Sequence, residues 1–144
     1  MAAVKVGEAA GYLVTSDARR ARESAALIAG GRQVHVDPDL REAALPESLP
    51  FPLPLRPATW AGLARIAWLL DWCESAEDVA AARARAARTA SRLGELSRMY
   101  GTVVVVGHGF FNMLIARELR RTGWDGLRRP PRRYWSMVAY TRPS

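Results

Sequence analysis

One of only two histidines in this chain, His108, lies between two glycines, directly after the run Val103-Val104-Val105-Val106 and before Phe110-Phe111-Asn112. Four consecutive β-branched residues predict a short strand buried on both faces, and the apolar spacing beyond Gly109 predicts a helix. A titratable imidazole at the carboxyl end of a strand stands where ligands enter open α/β sheets. Two further junctions carry polar groups. Thr15-Ser16-Asp17-Ala18-Arg19-Arg20-Ala21-Arg22 delivers a strand into a helix start crowded with arginines, an arrangement suited to an anion. Asp39-Leu40-Arg41-Glu42 places a carboxylate just after a second strand. Guanidinium, carboxyl and imidazole groups converging on one crevice are what phosphoryl transfer needs, since cations neutralise the oxygens and an acid protonates the leaving group.

The elements that must position these groups alternate. Strands are expected at Gly11 to Thr15, Val34 to Val36, Val103 to Val106 and Trp135 to Thr141. Helices are expected from about Ala18 to Ala29, Trp60 to Trp72, Ser75 to Met99 and Phe111 to Thr122. Ser16 and Asp17 are suitable N-caps for the first helix, Gly30-Gly31 closes it, Ser75-Ala76-Glu77-Asp78 resembles a capping box, and Gly123 is a C-terminal stop. Leu114, Ile115 and Leu119 are expected to face the sheet, and Val79, Ala82, Ala86, Leu93 and Leu96 to point inward. Pro46, Pro50, Pro52, Pro54 and Pro57 mark an irregular surface stretch. Alternation of this kind predicts an α/β domain of three α/β/α layers around a mostly parallel sheet, formed by residues 1–144 as a single domain.

Composition sets outer bounds. The chain has 144 residues, 49% hydrophobic and 24% charged, as in ordinary globular proteins. No apolar run reaches the roughly 18 residues that span a bilayer, and no secretory h-region opens the chain, so a cytoplasmic protein without a membrane partner is expected. Cys73 is the single cysteine, which excludes an internal disulfide, and it reads as a small buried hydrophobe. No histidine–carboxylate spacing suggests a metal, and no cofactor is expected. The net charge of +7 is almost entirely arginine, Lys5 being the only lysine, and favours anionic partners such as phosphate esters. Arg128 to Arg133 is a basic run without an interleaved aromatic motif. Tyr134 and Trp135 read as core of the following strand, so nucleic acid is not the expected partner.

Taken in order, these segments resemble the histidine phosphatase superfamily, with its phosphoglycerate mutase-like fold. Val14-Thr15-Ser16-Asp17-Ala18-Arg19-Arg20-Ala21-Arg22-Glu23-Ser24-Ala25 is similar to that family's Ser-Asp-Leu-x-Arg-Ala-x-x-Thr-Ala element. Asp39-Leu40-Arg41-Glu42 resembles its Leu-x-Glu element, Glu74-Ser75 its Glu-Ser segment, and Val105-Val106-Gly107-His108-Gly109 its second His-Gly element. The resemblance implies that Arg20 binds phosphate and that Glu42 donates a proton to the leaving oxygen. It also implies that His108 is the second histidine of the pocket, with the Gly109 N–H adding a hydrogen bond. Arg19 and Arg22 match variable positions.

One family element has no counterpart. The Leu-x-Arg-His-Gly strand, whose histidine is the nucleophile, would precede Ser16 by several tens of residues, and no Arg or His occurs before Ser16. His35, inside Val34-His35-Val36, reads as a packed strand residue. The resemblance therefore implies an N-terminally truncated domain that binds a phosphorylated small molecule and hydrolyses it when a nucleophile is supplied. The alternative is a non-catalytic phosphate-ligand or protein-binding module. The missing strand belongs beside the one ending at His108, and Ala2 to Val6, or a second chain in a homodimer, is expected to fill that place.

Overall fold

A computed structural model describes residues 2–44, 46, 56–70, 75, 77–131 and 133–143. It divides into two compact units, residues 1–42 with 85–144, and residues 43–84.

The first unit is built on a parallel sheet of β1 (Tyr12–Thr15), β2 (His35–Val36) and β3 (Val103–Val106), in the order β2-β1-β3. Registers Val14↔His35 and Thr15↔Val106 align the carboxyl ends of all three strands. The chain leaves β1 for one neighbour and later returns to pair on its other side. The switch point thus falls between β1 and β3. Helix α2 (Arg19–Ala29) covers one face, where Ile28 and Ala29 pack with Leu13, Val34, Val104 and Val106. On the other face the Tyr12 ring stacks on His35 at 4.2 Å and meets Tyr100, the last residue of α4 (Val79–Tyr100). Helix α5 (Gly109–Arg121) buries Phe110, Phe111, Leu114, Ile115 and Leu119 and stops before Gly123, whose φ is +91°. Asp37 turns the chain after β2 by accepting the Asp39 N–H, which starts a 3₁₀ turn at Pro38–Leu40.

Several expectations are corrected. Ala2 to Val6 adds nothing to the sheet; it lies in helix α1 (Ala2–Ala9), whose carbonyls at Gly7 and Glu8 accept from Arg32. Gly7 permits that helix to touch α2, because a Cβ there would lie 2.1 Å from the Ile28 carbonyl oxygen. The valines of β3 are half-buried rather than enclosed, since β3 is an edge strand among the described residues. The expected strand from Trp135 to Thr141 shrinks to β5 (Tyr140–Thr141), paired antiparallel with β4 (Asp125–Gly126) in a separate two-stranded sheet. Tyr134 and Trp135 sit in an exposed turn, not in a core.

The second unit contains α3 (Pro57–Leu69), with Pro57 at its first turn, and the start of α4. Ala64, Ala67 and Trp68 form its buried face, whereas Leu63 and Leu70 are exposed. Pro46 is buried instead of on the surface. Asp78, not Ser75, caps α4, accepting the Ala81 N–H at 2.6 Å, while Ser75 Oγ accepts from the Trp68 indole at 2.9 Å. Pro50, Pro52, Pro54, Trp72, Cys73 and Glu74 lie outside the described residues.

Gly11 is the tightest point of the first unit. Its N–H bonds to the Thr102 carbonyl, and an added Cβ would stand 1.8 Å from the Tyr100 carbonyl oxygen. Backbone has to move to admit it, so Gly11→Ala is expected to lower stability by about 1–3 kcal/mol or more. A shift of the urea midpoint checks this.

Candidate functional site

Parallel pairing carries the chain beyond β1 and β3 together. The Ser16 N–H donates to the Val106 carbonyl at 3.2 Å, and Thr15 Oγ1 donates to the same oxygen at 3.0 Å. This register sets Ser16 and Asp17 beside Gly107 and His108. Ser16 is fully buried and does not cap α2; Ala18 occupies the N-cap position and makes no side-chain cap. The Ser16 hydroxyl instead lies 2.8 Å from His108 Nε2. From the first turn of α2, Arg20 reaches across so that its Nη2 lies 3.1 Å from His108 Nδ1.

These two contacts fix the imidazole. A guanidinium can only donate, so Nδ1 accepts, which leaves the ring proton on Nε2, donated to Ser16. His108 is 6% exposed, at the N-cap of α5. Burial holds its pKa below the usual 6.5; Arg20 adds to the lowering, while Glu42 and Asp17 oppose it. The ring is accordingly neutral at pH 7.

Glu42 is drawn to the same helix end. Its Oε1 accepts the Phe111 N–H at 2.8 Å and its Oε2 the Phe110 N–H at 3.3 Å, two of the N–H groups a helix leaves unpaired in its first turn. Arg85 of α4 holds the segment in place. Its Nη1 donates to the carbonyls of Asp39 at 2.6 Å and Arg41 at 2.9 Å, and its guanidinium lies 3.8 Å from the Phe111 ring centre. Arg41 turns outward and pairs with Asp17, its Nε 2.7 Å from both carboxylate oxygens. That bond holds the Asp17 carboxyl below its usual pKa of 3.8.

An open depression of about 700 Å³ is lined by Asp17, Ala18, Arg19, Arg20, Glu23, Arg41, Glu42 and His108. Arg20, Glu42 and His108, expected from the sequence, all meet there. Gly109 is the first residue of α5 and is exposed, and a Cβ on it would meet nothing within 4 Å. No neighbouring protein atom requires a glycine there. Arg19 is a surface residue paired with Glu23. His35, stacked on Tyr12, is not among the lining residues. Among the described residues no three His, Cys, Asp or Glu side chains gather as metal ligands, and no helix is long and apolar enough to cross a membrane. Sequence reasoning assigned no site role to Ser16, Asp17, Arg41 or Arg85. Only the register of β1 against β3 exposes the part of Ser16, and Arg85 lies 43 positions from Glu42 with no local signal.

Residues 2–142 match the profile of the histidine phosphatase superfamily (branch 1). The chain belongs to this superfamily. Solved histidine phosphatase-fold structures agree. Mycobacterial hydrolase 1 is 28% identical, with a TM-score of 0.55 over 83% of this chain and 65% of its own. The native mycobacterial glucosyl-3-phosphoglycerate phosphatase is 28% identical, with a TM-score of 0.54 over the same shares, 83% and 65%. An open-reading-frame product of Mycobacterium tuberculosis, 20% identical, shares the fold with a TM-score of 0.55, over 78% of this chain and 60% of its own. The chain thus spans 60% to 65% of the length of those three structures. No protein with a curated description matches it.

Proposed function

We propose that the depression between the ends of β1 and β3 binds the phosphate group of a small phosphomonoester. The observation that carries this reading is the convergence of the Arg20 guanidinium and the His108 imidazole, 3.1 Å apart, at the rim of an open pocket. Arg20 supplies a planar fork of donors that matches phosphate oxygens. The exposed Gly109 N–H, with no acceptor inside its own helix, adds a donor. Glu42 donates the proton to the leaving oxygen. One of the solved relatives is by name a phosphatase of glucosyl-3-phosphoglycerate. The ligand class proposed here is the phosphate ester of a small polar alcohol.

Hydrolysis needs a nucleophile beside His108. His108 already holds Arg20 and Ser16, and His35 lies elsewhere. We place the nucleophilic histidine on a strand added along the outer edge of β3, where the half-buried valines offer unpaired backbone groups among the described residues. Such a strand has to carry an Arg-His-Gly segment, which residues 1–144 do not contain in one copy or in two. The second reading, a pocket that binds without turnover, is favoured by the single histidine lining it.

An aryl phosphate assay separates the two. If the reading frame upstream of Met1 encodes an Arg-His-Gly strand, the longer protein is expected to release phosphate, and His108→Ala to remove that activity. Binding without release by both forms would leave the second reading, and no saturable binding would end both.

A further inference from the structure

We infer that Ser16 is a positioning residue of the anion pocket, holding His108 as the Nε2–H tautomer so that an entering oxyanion is met by a proton taken up at Nδ1. The inference rests on the phosphate-site reading and specifies how that site binds.

In the unliganded protein the two ring nitrogens have opposite duties. Nε2–H donates inward to Ser16 Oγ at 2.8 Å, and Nδ1 presents its lone pair to the Arg20 guanidinium at 3.1 Å. Ser16 cannot drift from this post. It is fully buried, its N–H is bonded to Val106, and the preceding Thr15 hydroxyl is bonded to the same carbonyl. An anion attracted to Arg20 turns the guanidinium toward itself and would then face the bare Nδ1 lone pair, which repels it. A proton from solvent bound at Nδ1 converts that repulsion into a charge-assisted hydrogen bond. Nε2–H stays on Ser16 throughout, so the hydroxyl serves as acceptor for both the neutral and the cationic ring. Asp17 in the β1–α2 connection and Glu42 beside the start of α5 favour the cation, and Arg20 opposes it until it engages the anion. Arg41, on the same rim, is neutralised by Asp17. Burial keeps the free ring neutral at pH 7, so the proton is acquired on binding rather than before it.

Sulfate tests this, because it carries two charges and does not titrate near neutrality. The ¹⁵N signals of His108 are expected to show Nε2 protonated and Nδ1 bare in the free protein, and both protonated with sulfate bound. His35 serves as the reference ring. Sulfate affinity is expected to fall about tenfold per pH unit above the free-ring pKa, which is one proton per anion. Ser16→Ala removes the Nε2 acceptor and is expected to weaken sulfate binding near pH 7 about tenfold and move the pH profile to lower pH, whereas Ser16→Thr restores both. Sulfate binding that is independent of pH, or a free protein with the proton on Nδ1, would overturn the inference while leaving the pocket standing. No sulfate binding at any pH would remove the pocket and the inference together.

Discussion

Phe111→Ala is expected to cost the protein about 3–5 kcal/mol, the range for truncating a fully buried aromatic ring. Phe111 is 0% exposed and sits where three parts of the site join. Its side chain fills the core under α5, its ring face supports the Arg85 guanidinium at 3.8 Å, and its N–H binds Glu42 at 2.8 Å. Truncation therefore removes apolar burial and also the platform from which Arg85 holds the Asp39 and Arg41 carbonyls, a cation–π contact worth about 0.5–2 kcal/mol. Against a typical domain stability of about 5–15 kcal/mol, such a loss is large. The urea midpoint measures it. Phosphate affinity should fall as well, because the segment carrying Glu42 loses its support. A loss below about 1 kcal/mol would mean that α5 does not anchor the site.

Arg20→Ala is expected to weaken phosphate-ester binding about 10- to 150-fold, from about 1.5–3 kcal/mol for hydrogen bonds to a charged group. Its effect on folding should be small, since Arg20 is exposed. Arg20→Lys keeps the charge and loses the fork, so an intermediate affinity is expected. The same change alters the acid response. His108 has a folded pKa below 6.5, so below pH 6.5 the unfolded chain binds more protons than the folded one. Stability should rise with pH from the folded pKa up to 6.5 and level off above it. Removing Arg20 takes away one cause of the lowering and narrows that window.

Much of this arrangement was legible in the sequence because local chemistry determines it. A run of valines, then glycine, histidine and an apolar helical period, can form little else than a strand, a loop and a helix, and β3 and α5 follow. Gly30, with φ +57°, closes α2 as its residue type requires. Arg20, Glu42 and His108 follow strand ends, and parallel strands in register must bring those ends together. What was illegible depends on distant partners. Trp135 to Thr141 has β-rich composition, yet a strand needs a neighbour, and only Tyr140 and Thr141 find one. Among the described residues the same lack leaves Val103 to Val106 half-buried on an edge. Ala2 to Val6 carries no strong local signal for helix. Its state follows from Gly7 fitting against Ile28 and from Arg32 closing the helix end. Ser16 is a good cap residue by type, but its hydroxyl is captured by His108, a partner 92 positions away.

The most direct test of the phosphate site is a calorimetric titration with phenyl phosphate at pH 7, on the wild-type chain and on Arg20→Ala. Saturable binding at one site per chain, weakened at least about tenfold in the variant, is the predicted result. Equal affinity in both proteins, or no binding by the wild-type chain, would contradict it.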